Sequence, residues 1–204
     1  MPGQKAAEAD RQDQILTAAM DVATRHGLEG LTIRRVASEA GLSHGLVHFH
    51  FKSKAELLVA LLDRLFTDTA AFIVGPEIAG ISAPLQRLMA LLQQEMRRIT
   101  SDRARIHLFF DFWLMGTRHP RIRARMRAEL ARYREAFRPM VDEVLRSEPH
   151  RFENVTAEAL SAVVVAFIKG SAVQAVIDPR GLDVTQFTAA AHALLSQMEA
   201  ASAA

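Results

Sequence analysis

The chain is predicted to be all-α, and three observations in its 204 residues carry that reading. Apolar residues recur at three- and four-residue spacings almost throughout, the period of a helix that buries one face. Runs in which β-branched and polar residues alternate are missing, and the one short β-branched stretch, "AVVVAF", sits inside a longer helical pattern. Glycines, prolines and capping residues then cut the pattern into about nine helices.

The first helix is read from about Asp10 to His26. Ile15, Ala19 and Val22 with Leu16, Met20 and Ala23 form its apolar stripe, and Gly27 offers a stop. Thr32 can cap a short second helix carrying Val36, Ala37 and Ala40, which Gly41 ends. Ser43 can cap a third through roughly His50. "SKAE", Ser53 to Glu56, is a capping box that opens a long fourth helix on Leu57, Leu58, Leu61, Leu62, Leu65 and Phe66. "GPEIAG", Gly75 to Gly80, breaks the chain and is its clearest shift in composition. Ser82 and Pro84 start a fifth helix through Leu85, Leu88, Met89, Leu92, Met96 and Ile99, and Asp102 caps a sixth on Ile106, Phe109, Phe110, Trp113 and Leu114. Pro120 suits the first turn of a seventh, with Ile122, Met126, Leu130, Tyr133, Phe137 and Val144 on one side; Pro139 should kink it or end it early. Two last helices, about Thr156–Ile177 and Asp183–Met198, are divided by "DPRG".

Half of the residues are apolar, enough to bury a real core. Lysine plus arginine is 25 against 23 acids, so a polyanion-binding face must come from local arrangement rather than bulk charge. Cysteine is absent, the first residues are polar, and no uninterrupted apolar run approaches the ~18 residues of a spanning helix. The expectation is a soluble cytoplasmic protein without a membrane partner. No phosphate-cradling glycine loop, paired carboxylates or metal-ligand set stands out, so no catalytic residue, cofactor or metal is expected.

Arg34 to His50 reads "RRVASEAGLSHGLVHFH", two short helices joined by a turn with one glycine, the helix-turn-helix signature. Small Ala37 and Ala40 let the helices approach, Gly41 can adopt the left-handed conformation that re-aims the chain, and Leu42, Leu46 and Val47 pin the second helix to the first. Ser43, His44, Gly45, His48 and Phe49 are left pointing outward, where a recognition helix meets base edges and phosphates of double-stranded DNA; Phe51 goes to the core. His50 and Lys54 at the far end, with Thr32 and Arg34 before, can hold phosphates, Arg34 in preference to Arg35. His44 and His48 also have the spacing of a two-histidine metal pair, but no cysteine or carboxylate stands beside them to complete one.

These residues closely resemble the DNA-binding domain of the tetracycline-repressor (TetR) family, over Asp10 to Phe66. The matching pieces are "G-L-T-x-R", the "A-G-L-S" turn and the exit "H-F-K-S-K-x-E-L-L". The resemblance implies a helix-turn-helix domain at 10–66, with the motif at about 32–51, and a ligand-binding and dimerising helical domain at 67–204. It also implies transcriptional repression relieved by a small molecule. One departure is His48, where the family usually has tyrosine; an imidazole makes that contact pH-sensitive and predicts tighter operator binding below neutral pH.

The second half resembles, more loosely, the C-terminal domain of the betaine-regulator branch, especially at "FWLMGTRHP" and "AVIDPRGLD". With the family's pocket in mind, Met89, Leu92, Met96, Phe110, Trp113, Met126, Tyr133 and Phe137 are candidate walls, and His107, Asp111 and Arg118 candidate polar anchors; such stripes are more often plain core. One tryptophan does not make an aromatic cage, so glycine betaine is not implied. The arginines from Arg118 to Arg138 read as a solvated helix face. On the last two helices Ala162, Ala166, Gly170 and Val173 form a small-residue ridge that Phe167, Phe187, Leu194 and Leu195 flank, a surface on which a homodimer could build a four-helix interface. Such a dimer would set two recognition helices roughly 34–36 Å apart on a pseudo-palindromic operator. The readings left open beside a repressor are a ligand-dependent activator or co-repressor, and an apolar-ligand carrier with a vestigial DNA head.

Overall fold

The computed structural model describes residues 2–69 and 74–196. Among them are ten helices and no strand: α1 (Pro2–Gly30), α2 (Ile33–Glu39), α3 (His44–His50), α4 (Lys54–Thr69), α5 (Pro76–Ala79), α6 (Pro84–Ser101), α7 (Arg103–Gly116), α8 (Pro120–Ser147), α9 (Ala157–Ile177) and α10 (Val184–Ser196). The all-α class is therefore correct. The tenth helix is α5, one turn inside "GPEIAG", where Pro76 at its first position supplies a helix-ready φ and lacks an N–H that would go unpaired anyway. Helix α1 begins before Asp10, and Gly27 leaves the helical path at φ 67°, so the stop read at this residue appears as a break before one further turn. Met198, the expected end of the last helix, lies outside the described residues.

One expectation is corrected in part, since the helix does not end early at Pro139. Helix α8 runs through Pro139 to Ser147. Phe137, Val141 and Val144, on either side of the proline, are fully buried, and Arg138 pairs with Glu158 at 2.6 Å. That burial, ~1.5–3 kcal/mol per large side chain, outweighs the ~3 kcal/mol or more that an interior proline costs. Helix α9 is long and apolar enough, by length and composition, to cross a membrane, although its charged residues interrupt any continuous apolar run. Here it is a packing helix: Leu160, Val164, Ile168 and Ala172 are buried, and it lies against α6.

The described residues form two compact units. The first takes residues 2–69 together with 107–128, a grouping that the boundary at Phe66 does not anticipate. Its core joins Ile15, Val22, Val36, Val47, Leu61 and Phe112. Side-chain ties reinforce it: Gln14 Nε2 donates to the Ala40 carbonyl at 2.8 Å, Arg25 pairs with Glu39 at 2.6 Å, and Arg64 pairs with Asp13. The second unit takes 74–106 and 129–196, around Leu92, Met96, Phe137, Val144, Leu160 and Ile168.

Candidate nucleic-acid interface and a buried polar cluster

Short helices need their end groups satisfied, and α2 and α3 satisfy theirs from the sequence. Thr32 Oγ1 accepts from Arg35 N at 3.2 Å and Ser43 Oγ from Leu46 N at 3.1 Å. Between them Gly41 sits at φ +65°, and the Leu42 amide turns back onto the Ala37 carbonyl at 2.9 Å. At the exit Glu56 N donates to Ser53 Oγ at 3.2 Å, while the Glu56 carboxylate accepts from Lys52 N at 2.9 Å, one residue before the cap. Buried Val36, Ala37 and Val47 fix the two helices face to face, and Phe51 is core.

What remains outward is the predicted set. Ser43, His44, Gly45, His48 and Phe49 are all exposed. A side chain placed on Gly45 would meet nothing within 4 Å, so another molecule's backbone can approach there. The His44 and His48 rings stack with centroids 6.3 Å apart. Phe49 is 64% exposed, with the Lys52 ammonium 4.7 Å from its ring centre and the His50 ring edge-on at 5.3 Å. Arg34 is exposed and forms no ion pair among the described residues, whereas Arg35 is held by the Gly30 carbonyl at 2.9 Å. Thr32 and Ser43 spend an acceptor lone pair on their caps and keep their hydroxyl protons. The far-end pair is more constrained than the sequence suggests. His50 is half-buried with Nδ1 enclosed and unpaired, and Lys54 Nζ donates to the Glu29 carbonyl at 3.2 Å.

Sequence reading missed a polar cluster in the second unit. Glu95 has no exposed surface; Tyr133 Oη donates to its Oε2 at 2.8 Å and Arg98 pairs with it at 2.7 Å. Lys169 Nζ lies 4.5 Å from the centre of the Tyr133 ring. Burial first, then the Glu95 charge, pushes the Tyr133 phenol upward, so it stays a donor. Burial pulls the Lys169 ammonium down to about 8, against the attraction of Glu129 and Glu95. The available signal was an acid on the apolar stripe of α6, between Leu92 and Ile99, and the lone basic residue of α9.

The ten residues read as ligand-pocket positions divide between the units. Met89, Leu92, Met96, Tyr133 and Phe137 are buried in the second unit, where Tyr133 and Phe137 meet edge-on at 5.5 Å. In the first, Met126 is core, Phe110 and Trp113 join Phe109 and Phe66 in one aromatic group, and His107 and Asp111 are exposed. Of the dimer-surface residues, Ala166, Val173 and Leu194 are exposed and Ala162, Phe167, Gly170 and Phe187 half-buried, the two phenylalanines in edge-on contact at 6.0 Å. Leu195 packs into its own unit's core, beside Ala191 on the inward stripe of α10.

Residues 15–61 match the family model described as bacterial regulatory proteins, tetR family, and residues 84–199 match that of the BetI-type transcriptional repressor, C-terminal. The chain belongs to the TetR family. Its second half is of the BetI type, and it is a helix-turn-helix transcriptional regulator. A similar relative is a helix-turn-helix regulator from the dhlA 5′ region of Xanthobacter autotrophicus, 26% identical over 179 residues, 87% of this chain and 86% of that one. The nicotine-responsive repressor HdnoR of Paenarthrobacter nicotinovorans is 26% identical over 174 residues, covering 83% and 86%. In fold, the regulator resembles a solved TetR regulator from Haloarcula marismortui, with a TM-score of 0.72 and 21% identity, covering 94% of this chain and 97% of that one.

Proposed function

We propose that this TetR-family regulator binds a pseudo-palindromic operator as a homodimer and represses transcription until a small, largely apolar effector releases it. The observation that carries the reading is the exposed α3 surface of Ser43, His44, Gly45, His48 and Phe49, presented by two capped helices and a left-handed glycine turn. Thr32 and Arg34 before it, and His50 and Lys54 behind it, supply phosphate contacts that set register. A second copy completes the site, since one helix reads only a few base pairs. Val173 and Leu194, apolar and exposed on α9 and α10, support this surface as the twofold interface. For the effector, the Met- and Phe-rich residues around Tyr133 offer apolar walls, and the Glu95 and Lys169 head groups offer polar anchors. The nicotine-responsive relative supports a small organic effector in general terms. A coupling of about 1–3 kcal/mol between effector and DNA is enough to lower occupancy several-fold or more.

The test is protection mapping on the DNA upstream of the protein's own gene, followed by titration of small apolar molecules against the complex. A protected, roughly twofold-symmetric site that one of them releases is expected. Absence of any protected site in dilute buffer rejects the reading.

A further inference from the structure

A cleft of about 940 Å³ opens in the first unit among the end of α1, the start of α4 and the α7–α8 corner. That is room for a small-molecule ligand. Its lining is apolar over Leu28, Leu58, Val59, Leu114, Met115 and Ile122. Leu114 is 69% exposed, hydrocarbon that a bound chain would cover.

Arg118, His119 and Arg121, close together in sequence at the α7–α8 corner, are also among its lining residues. Their neighbours are already engaged: Arg123 donates to the Gly116 and Thr117 carbonyls, and Arg125 pairs with Asp63 at 3.3 Å. Arg118 and Arg121 form no ion pair among the described residues, and no acid occurs in sequence between Asp111 and Glu129. Pro120, Arg121 and Ile122, in the first turn of the 28-residue α8, line the cleft, so the positive end of that helix is near it. Lys54, also a lining residue, is tied to the Glu29 carbonyl. Two acids, Glu29 and Asp111, also line the cleft. Partial burial first, against the pull of His107 and with a smaller push from Glu29, moves the Asp111 carboxyl upward from its ordinary value.

We propose that this cleft binds a single-chain amphipathic anion, its hydrocarbon against Leu58, Leu114 and Ile122 and its carboxylate or phosphate head against Arg118 and Arg121. The site is separate from the Glu95–Tyr133 cluster and does not depend on the effector reading of that cluster. The full chain is titrated with laurate, dodecyl phosphate and dodecanol, each below its aggregation limit, by calorimetry and by the fluorescence of Trp113, the only tryptophan, which adjoins Leu114 in sequence. Saturable binding of at least one anion is expected, with dodecanol weaker by about tenfold or more. The double variant Arg118→Ala/Arg121→Ala should lose about tenfold or more, while the equally charged control Arg134→Ala/Arg146→Ala, further along α8, keeps wild-type affinity. Binding of neither anion, equal binding of dodecanol, or equal losses in the two double variants would overturn the proposal. Operator release by another molecule, unaltered in the arginine pair, would leave the repressor reading standing whichever way the cleft result falls.

Discussion

Lys169 is the single basic residue of α9, and its surroundings make it a pH sensor of stability. Its ammonium is charged below about 8 in the fold but up to about 10.5 when exposed. Between those values the unfolded chain binds more protons, so stability should rise with pH across that window; below it both states are protonated and the burial cost is felt in full. The gain is on the order of 1–3 kcal/mol. Urea unfolding at about pH 7.5 and about pH 10 should show it in the wild type and not in Lys169→Met; parallel profiles would mean the ammonium is better solvated than its position indicates. The same residue shows why the cluster was hard to read. An acid on α6, a tyrosine on α8 and a lysine on α9 are separately ordinary, and only packing brings Glu95, Tyr133 and Lys169 together.

At the scale of elements, local chemistry was legible because it is local. Thr32, Ser43 and Ser53 each use a side-chain oxygen within three residues, and Gly41 supplies a left-handed φ that other residues adopt at a cost. Space does not limit Gly41, since an added Cβ would meet nothing within 4 Å. Gly41→Ala should therefore destabilise through the backbone alone, by about 1–2 kcal/mol, and Gly41→Asn by less, because asparagine tolerates that conformation. Chemical denaturation of the two variants checks the order; equal costs would show that something other than φ is at stake. Pro139 was misjudged for the opposite reason. A local rule says that it breaks a helix, and buried neighbours on both sides overrule it.

For the whole molecule the proposed twofold interface makes a sharp distinction between adjacent residues. Leu194 is 65% exposed and Leu195 is 7% exposed. An acidic side chain at Val173 or Leu194 should give a folded monomer with operator affinity reduced about tenfold or more, because each half-site is then held singly. Leu195→Asp should instead unfold the second unit, as it places a charge among apolar side chains. Sedimentation and circular dichroism separate the cases; a dimer that survives both surface substitutions would place the interface elsewhere.

Helical class, the capped helix-turn-helix and the outward residues of α3 were determined by the sequence alone, since each depends on periodicity or on a side chain bonding within a few positions of itself. Only the tertiary structure decided that residues 107–128 join the first unit, that Glu95 is buried beside Tyr133, that Leu195 faces inward, and that Arg118 and Arg121 line a cleft. Those outcomes depend on which of several similar apolar or charged surfaces pack together, a choice made by non-local burial and pairing that no short window of residues encodes.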